Sequence, residues 1–404
     1  MKKIVMIGCF DTKAEVFQYL YQQLTSLGSP ILSINTGLFG STELFPVNLE
    51  NEELAAFVRQ DLAELTKKGN RNEAVKVMAE AARQKIQQLV EMGEVGGVIG
   101  MGGGGGTYIA LKAMQNVPFG IPKLCISTLA TKDVSNLVGA RDILLLPSVV
   151  DVAGRNSVID TIITQAAATV HHLSKLDFTR ETQQKRIAIS MFGNTTKCVD
   201  RCTTLLRQEG FEVFAFHANG SGGKSMEEMI RAGFFDAVLD VTTTELADDL
   251  CDGICSAGPD RLTAATELGI PQVVVPGCLD MVNFGTLESV PNHFQERNLY
   301  QWSPDVTLLR TNEEENQELG KRLMAKLRGA EKRAVVVLPL KGISEIDREG
   351  SRFHDAFANQ VLFDTIHSEA GSILPVLEQN KHINDPEFAH FLVETLLKCM
   401  NNGA

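Results

Sequence analysis

The chain has 404 residues, 44% of them apolar and 22% charged, and these ordinary globular values exclude a disordered or fibrous protein. At about 150 residues per domain, the length predicts two large domains or three small ones. The formal net charge of −12 argues against a nucleic-acid-binding surface.

The first apolar segment ends before Asp11 and is too short for a secretory signal sequence. No stretch approaches the roughly 18 uninterrupted apolar residues of a membrane-spanning helix. We therefore expect a cytoplasmic protein without a membrane partner, whose cysteines are reduced thiols. The pairs Cys198/Cys202 and Cys251/Cys255 lack zinc-finger spacing, so we expect no metal site there.

In the first half of the chain, short apolar runs alternate with amphipathic stretches, a pattern typical of a parallel sheet with helices on both faces. The predicted strands are Lys3–Gly8, Pro30–Asn35, Val95–Gly100, Pro122–Ser127 and Ile143–Ser148. The predicted helices are Thr12–Leu27, Asn51–Thr66, Asn72–Met92, Tyr108–Gln115 and Arg155–Leu173.

The charged segment Leu176–Arg186 interrupts this pattern and predicts a boundary between a first domain at 1–180 and a second at 181–404. The strand–helix alternation then restarts. The predicted strands of the second sheet are Arg186–Met191, Phe211–Phe216, Phe235–Asp240, Pro271–Pro276, Asp305–Arg310 and Ala334–Pro339. The sequence therefore predicts the α/β class, with two domains that each contain a mostly parallel sheet covered by helices.

Ligands of open parallel sheets bind beyond the carboxyl ends of the strands, where loops and helix N-termini converge. We therefore expect a ligand cleft at these ends. After the first predicted strand, this edge carries the polar residues Asp11, Thr12 and Lys13.

An unbroken run of five glycines follows the third predicted strand and precedes a helix. Glycines allow close approach of the backbone to an anion, and helix N-termini supply N–H donors. The run predicts a phosphate or carboxylate site, and a tight turn for close packing of strand and helix is the alternative. A dinucleotide motif is disfavoured, because that motif follows the first strand of its fold. The predicted site consists of Gly102, Gly103, Gly104, Gly105, Gly106 and Thr107.

A second glycine-rich segment contains Gly220, Gly222, Gly223 and Lys224. It resembles the end of a phosphate-binding Walker A loop, but Ala218 stands where that motif requires its first glycine. Backbone donors beside one cation predict a second anion site, and a hinge or surface loop is the alternative.

Three further segments carry polar residues at strand or helix ends. Asn194, Thr195 and Thr196 suit an anion site or ordinary N-capping. Arg261 suits bidentate binding of a carboxylate or phosphate. The spacing from Thr242 to Glu245 favours a capping box over catalytic use of Glu245.

Asp280 and Asn283 directly follow an almost wholly apolar strand, and Asp347 follows the last predicted strand. Polar residues at these positions are hard to explain as structure. We therefore take Asp280, Asn283 and Asp347 as candidate catalytic residues that face a substrate.

The motif-bearing segments are Gly8–Glu15, Gly100–Thr107, Ser148–Asn156, Phe216–Glu228, Ser256–Leu262, Pro276–Gly285 and Leu338–Asp347. These seven segments together resemble the Tm-one-like ATP-binding domain family, which includes the N-terminal domain of the tomato mosaic virus resistance protein. The resemblance implies an ATP-binding, two-domain α/β protein that forms a homodimer, and in the plant member the domain binds a viral replication protein. The chain departs from the family pattern at Asn35, at Lys224-Ser225 and at Gln301-Trp302.

These observations lead to one main hypothesis and two alternatives. The main hypothesis is a cytosolic ATP-binding protein, with Mg²⁺ as companion ion, that acts as a metabolic enzyme on a small anionic substrate in an interdomain cleft. The first alternative is a nucleotide-stabilised dimeric scaffold or protein-interaction module without catalysis. The second is a two-lobed receptor for a small molecule that uses no nucleotide.

Overall fold

A computed structural model describes residues 2–67, 69–176, 184–330, 332–371 and 374–401. The chain divides into two units, Met1–Glu181 and Thr182–Ala404. The predicted linker Leu176–Arg186 lies largely outside the described residues. In the described part of the chain, no helix is both long enough and apolar enough to cross a membrane.

The first unit contains a five-stranded sheet in which every pairing is parallel. Side chains alternate between its two faces, so Val5 and Ile7 face one core, while Ile4 and Met6 face the other. The strands are β1 (Lys3–Gly8), β2 (Ile31–Asn35), β3 (Val95–Gly102), β4 (Lys123–Ser127) and β5 (Ile143–Pro147).

Helices cover both faces of this sheet. One core packs the second, fourth and fifth helices against the strands, and the other core packs the first and the last. The helices are α1 (Ala14–Ser26), α2 (Asn51–Phe57), α3 (Leu62–Lys67), α4 (Arg71–Glu91), α5 (Gly104–Met114), α6 (Ser135–Val138) and α7 (Ser157–Leu173).

The strand order β2-β1-β3-β4-β5 fixes where a ligand site is expected. The chain moves from β1 outward to β2 and then returns to the other side of β1 to form β3. The loops after β1 and β3 therefore diverge to opposite faces and leave a crevice between them, the topological switch point of doubly wound folds.

The second unit contains a six-stranded parallel sheet, in the order β14-β13-β9-β8-β6-β7, and a three-stranded antiparallel sheet, in the order β10-β12-β11. The parallel strands are β6 (Arg186–Met191), β7 (Glu212–His217), β8 (Ala237–Thr242), β9 (Gln272–Gly277), β13 (Ala334–Pro339) and β14 (Val376–Gln379). The antiparallel strands are β10 (Met281–Phe284), β11 (Leu299–Ser303) and β12 (Val306–Arg310).

Helices also cover both faces of the second parallel sheet, because its buried strands are apolar on both sides. The helices are α8 (Thr196–Gln208), α9 (Ser221–Arg231), α10 (Glu245–Leu250), α11 (Ala264–Leu268), α12 (Glu313–Lys326), α13 (Ala356–Ala370) and α14 (Pro386–Asn401). The α/β prediction, with two helix-covered parallel sheets, is therefore confirmed.

Three details of the prediction are wrong. The single helix predicted at Asn51–Thr66 is two helices, α2 and α3, with residues 58–61 between them. The predicted parallel strand Asp305–Arg310 is β12, which pairs antiparallel with β11 and β10. Only two residues separate β11 from β12, and a connection that short joins antiparallel strands only. The helix predicted at Tyr108–Gln115 begins earlier, at Gly104, so most of the glycine run forms the first helical turn.

Candidate functional site

A cavity of about 220 Å³ lies at the switch point of the first unit. Its walls come from the segments that follow β1, β2 and β3 and from the start of α4. It is lined by Cys9, Asp11, Thr12, Lys13, Thr36, Leu38, Phe39, Arg71, Val75, Gly103, Gly104, Gly105, Gly106 and Ile109. The structure therefore brings Asp11, Thr12 and Lys13 together with four glycines of the run.

Packing or backbone conformation requires glycine at some positions of the run but not at others. A Cβ on Gly102 would lie 2.7 Å from the Gly106 Cα, so packing of strand against helix requires glycine there. A Cβ on Gly104 would meet nothing within 4 Å, and one on Gly105 would meet only Val75, at 4.0 Å. Neither residue has a positive φ. Packing and backbone conformation therefore explain Gly102 but not Gly104 and Gly105.

Helix α5 also presents uncapped donors to the cavity. The first N–H groups of a helix have no intrahelical partner, and the N-cap residue, Gly103, has no side chain to accept from them. Glycine is about 1 kcal/mol less favourable than alanine within a helix. A first turn built from Gly104, Gly105 and Gly106 is consistent with close approach of a ligand to the backbone.

Asp11 is held against the loop after β2. Its Oδ2 accepts hydrogen bonds from the N–H groups of Leu38 and Phe39, both at 3.0 Å. Its Oδ1 is buried and has no partner among the described residues. The Lys13 Nζ donates to the carbonyl of Val152 at 2.6 Å, which fixes that cation at the cavity.

Asn35 supports the same loop from beneath. Its Oδ1 accepts from the N–H groups of Phe10 and Gly37, at 3.2 and 2.9 Å. Its Nδ2 donates to Glu50 at 3.1 Å. The Asn35 amide can donate to the Glu50 carboxylate, whereas an aspartate at this position would place two carboxylates in contact.

Gly102 and Thr107 do not line the cavity. Thr107 is fully buried, and its hydroxyl lies 2.7 Å from that of Ser127 and donates to the Gly102 carbonyl. These two residues join the strand to the helix behind the cavity.

The second glycine-rich segment already holds an anion from the protein itself. The N–H groups of Gly220 and Gly223 donate to Oε1 of Glu245, at 2.7 and 3.1 Å. A Cβ on Gly223 would overlap this carboxylate, and one on Gly222 would overlap the His217 carbonyl. Lys224 is exposed in the first turn of α9. The backbone donors of this segment are therefore occupied by an internal carboxylate, and its glycines are explained by packing.

The expected capping box is wrong, because Glu245 turns to this glycine segment and α10 has no side-chain cap. Arg261 lies against the same carboxylate and is fully buried. Its Nε donates to Glu245 at 2.6 Å, and its Nη1 and Nη2 donate to both oxygens of Asp240, at 2.6 and 2.7 Å. Nη1 also lies 3.2 Å from Glu227.

This network fixes the charge of Arg261. Although burial alone would lower it, Asp240 and Glu245 raise the pKa of Arg261 well above its ordinary value. Glu227 in turn accepts from the N–H groups of Leu262 and Ala264, at 2.6 and 2.8 Å. Arg261 is thus engaged by internal carboxylates rather than placed in a loop open to a ligand.

Asn194, Thr195 and Thr196 lie at the corresponding switch point of the second unit, after β6. Thr195 is fully buried, and its hydroxyl lies 2.7 Å from that of Thr242. The Thr196 hydroxyl donates to the Phe192 carbonyl at 3.2 Å. Asn194 is buried as well, its Nδ2 donates to the Met281 sulfur at 3.5 Å, and its Oδ1 has no partner among the described residues. None of the cavity linings described here includes these three residues.

Asp280 and Asp347 are brought together in a fully buried cluster. Asp280 Oδ2 accepts from the Ser344 hydroxyl at 2.7 Å, and its Oδ1 has no partner among the described residues. Asp347 accepts from Asn359 Nδ2 at 2.7 Å and lies 3.7 Å from an Arg310 nitrogen. Burial, and then the charge of Asp347, raises the pKa of Asp280 to about 7. Burial also raises the pKa of Asp347.

Asn283 is not part of that cluster. It lies in β10, and its Nδ2 donates to Asp248 Oδ2 at 2.8 Å. The N–H groups of Cys255 and Asn283 donate to the other Asp248 oxygen, at 3.0 and 3.1 Å. Burial raises the pKa of Asp248 to about 7. The three candidate catalytic residues thus fall into two separate buried clusters.

All eight cysteines are free thiols. Cys198 and Cys202 are buried on α8, and Cys251 is buried near Cys255. Within the described residues, no group of three or more His, Cys, Asp or Glu side chains is arranged to hold a metal ion.

Comparison with known proteins places both units in one family. The description "Uncharacterised protein family (UPF0261) N-terminal domain" applies to residues 2–177, and the corresponding C-terminal domain matches residues 184–400. The chain belongs to the UPF0261 family. Its expected relationship to the tomato protein is thereby confirmed at the level of family membership.

The UPF0261 relatives span the whole chain. A UPF0261 protein of Clostridium tetani is 40% identical over 401 residues, which is 99% of both chains. Another, from Rhizobium meliloti, is 35% identical over 97% of this chain and 98% of its own. The tomato protein named ToMV susceptible protein tm-1 is 32% identical over 98% of this chain, which matches 55% of the tomato protein's length.

The buried acids of this UPF0261 chain predict a pH-dependent stability. Asp248 has a pKa of about 7 in the folded state, against about 3.9 for an unfolded chain. The folded state therefore binds the proton more tightly, and the free energy of unfolding falls as pH rises from about 4 to about 7. The full loss is on the order of 4 kcal/mol, and Asp280 contributes in the same direction.

Replacement Asp248→Asn is expected to remove the Asp248 part of this slope. The new amide keeps an oxygen for the two N–H groups, and rotation of the Asn283 amide offers its unpartnered Oδ1 as an acceptor. Urea unfolding between pH 5 and 8, followed by fluorescence of the single tryptophan, Trp302 in β11, measures the slope. An unchanged slope in the variant would exclude Asp248 as its source.

Arg71 is a cavity residue of this UPF0261 chain that sequence reasoning missed. It is the first residue of α4, a long helix whose inner side carries Ala74, Met78 and Ala82. The signal in the sequence was the polar group Arg71, Asn72 and Lys76 on the opposite side. Without the structure, nothing links that side to the glycine run more than 30 residues later.

Proposed function

We propose that the N-terminal unit binds a nucleotide, ATP, in the cavity at its switch point, with the phosphates against the first turn of α5. The proposal rests on one observation about Gly104 and Gly105: neither packing nor backbone conformation requires glycine at these two positions. N–H donors at a helix N-terminus, approached over a surface without side chains, suit a phosphate group.

The charges at the cavity support the same ligand. Lys13 and Arg71 line it and supply two local cations, which matters because the net charge of −12 opposes any anion at long range. Arg71 is exposed and has no hydrogen-bond partner among the described residues. Its planar guanidinium suits bidentate contact with a phosphate.

The donor chemistry of the cavity also fits Mg²⁺, the usual companion of ATP. Mg²⁺ takes oxygen ligands and is commonly bound through one or two carboxylates together with substrate phosphates. Asp11 Oδ1 is a buried carboxylate oxygen without a partner among the described residues, and Asp11 lines the cavity. Asp11 would hold the ion, which would neutralise phosphate charge.

The second glycine-rich segment is the weaker candidate for the phosphates. Glu245 occupies the N–H groups of Gly220 and Gly223, and a ligand would have to displace a carboxylate that Arg261 also holds. We therefore assign the phosphates to the part of the glycine run that lines the first cavity, Gly103–Gly106.

The wider proposal keeps the cellular setting and the two uses of a bound nucleotide that the sequence suggests. The protein would act in the cytoplasm as a homodimer. Bound ATP would serve a reaction on a small anionic substrate or would stabilise the dimer for a protein contact. For the first use, Asp280, Asn283 and Asp347 remain the proposed catalytic residues, and burial of all three means that a substrate would reach them only after a rearrangement.

Binding is tested by differential scanning calorimetry with Mg-ATP. At about 100 times the Kd, a ligand that binds only the folded state stabilises it by about 2.7 kcal/mol. For a unit of about 180 residues, this corresponds to a rise in Tm of about 5–10 °C. Mg²⁺ alone is the control. No rise with ATP, ADP or GTP at millimolar concentration would contradict the proposal.

If ATP binds, its fate separates the two uses. Release of ADP and phosphate in the presence of small organic acids is expected for an enzyme. For a scaffold we expect a nucleotide-dependent shift in the oligomeric state, measured by analytical ultracentrifugation, without turnover.

A further inference from the structure

A second cavity, of about 560 Å³, adjoins the phosphate cavity in the same unit. The two share Arg71, Val75 and Gly105 as lining residues. The second cavity is completed by Asn72, Lys76 and Tyr108. A ligand bound to the glycine run can therefore extend past Gly105 and Arg71 into a second compartment.

Helix geometry explains why these residues share one surface. Arg71 lies one helical turn from Val75, and Asn72 lies one turn from Lys76, so these four residues form one side of α4. Ala74 and Met78 are buried on the other side of the helix. Tyr108 is three residues after Gly105 on α5 and so lies on the same side of that helix. Val75 is the point where this side of α4 approaches the first turn of α5.

The lining of the second cavity is chemically different from that of the first. Tyr108 and Val75 offer an aromatic and an aliphatic surface, both half-buried. Asn72 offers a side-chain donor and acceptor together, and it is exposed at the cavity. A second phosphate would gain nothing from an aromatic ring, whereas a planar heterocycle stacks on one. An amide can also bond two adjacent groups on the edge of adenine.

We propose that this second cavity is the nucleoside subsite of the phosphate cavity, where a purine base stacks on Tyr108 and is read by Asn72. The assignment rests on the proposed binding of ATP to the glycine run. Arg71, at the junction of the two cavities, contacts the phosphate nearest the nucleoside. Lys76 adds a second positive charge to the same compartment.

The test compares two probes, Mg-ATP and inorganic tripolyphosphate with Mg²⁺, by isothermal titration calorimetry on the intact protein. Tripolyphosphate presents the phosphates without the nucleoside. Tyr108→Ala is expected to weaken ATP binding by about 10-fold or more, the usual effect of losing one base–aromatic stack, and to leave tripolyphosphate binding within about twofold. Tyr108→Phe keeps the ring and is expected to retain the affinity for ATP.

A second variant guards against misfolding of the first, because Tyr108 is half-buried. Asn72 is exposed, so Asn72→Ala leaves the fold intact, and it is expected to lower the preference for ATP over GTP. Equal effects of Tyr108→Ala on both probes, or tripolyphosphate binding as tight as ATP binding in the unaltered protein, would overturn the nucleoside subsite alone. Failure of the unaltered protein to bind either probe would overturn the proposed function itself.

Discussion

Replacement Gly104→Asp is expected to weaken ATP binding on the order of 100-fold or more without lowering the free energy of unfolding. Gly104 is exposed, its φ is negative, and a Cβ there would meet nothing within 4 Å. A carboxylate in the first turn of a helix stabilises the helix by about 0.3–1 kcal/mol. The same carboxylate would compete with phosphate for the N–H donors of α5 and repel it.

Two further substitutions, one at the same position and one at a nearby glycine, serve as controls for this result. Gly104→Ala adds a methyl group without charge, so the affinity of this variant for ATP should lie between that of the unaltered protein and that of the Gly104→Asp variant. Gly102→Ala should instead destabilise the fold, because its Cβ would lie 2.7 Å from the Gly106 Cα. Equal ATP affinity for the Gly104→Asp variant and the unaltered protein, measured by calorimetric titration, would remove the glycine run from the site.

The position of the glycine run could be predicted from sequence, because a buried strand ends there and a helix follows. The sequence could not show which glycines are required by packing and which adjoin open space, because nothing in an uninterrupted run distinguishes Gly102 from Gly104. That division depends on which atoms of the turn face strand β3 and which face the cavity. The sequence could not place Arg71 at the cavity for a related reason, because Arg71 is brought next to Gly105 by the packing of α4 on α5.

In the second unit, the position of a polar residue just after a strand predicted its surroundings less well than in the first unit. Gly220 and Glu245 are 25 residues apart, so the internal carboxylate that fills the second glycine segment has no local signature. Asp280 and Asn283 are near in sequence but belong to separate clusters, because Asp280 precedes β10 and Asn283 lies within it. An antiparallel sheet inserted between β9 and β13 produced that separation, and the sequence predicts only one of its three strands, Asp305–Arg310, and places it in the parallel sheet.

Replacement Arg261→Met is expected to destabilise the C-terminal unit by about 3–5 kcal/mol, the usual cost of leaving buried charges without their partner. The guanidinium is surrounded by Glu227, Asp240 and Glu245, whose side chains are at most 5% exposed. Without Arg261, these carboxylates would repel one another in a medium that screens poorly. Domains are stable by only about 5–15 kcal/mol, so the loss is a large part of the total.

Urea unfolding followed by Trp302 fluorescence measures this effect, because that tryptophan lies in β11 of the same unit. Arg231→Met is the matched control: Arg231 pairs with Glu267 on the surface, at side-chain exposures of 34% and 51%, and its loss should cost at most about 1 kcal/mol. Arg261→Lys keeps the charge but cannot contact both Asp240 oxygens and Glu245 together, so an intermediate loss is expected. Equal stabilities of the Arg261→Met and Arg231→Met variants would contradict this account. A larger gain in stability towards pH 5 for the Arg261→Met variant than for the Arg231→Met variant would support it. Asp248 and Asp280 stabilise both variants at low pH, whereas protonation relieves repulsion among the three acids only where Arg261 is absent.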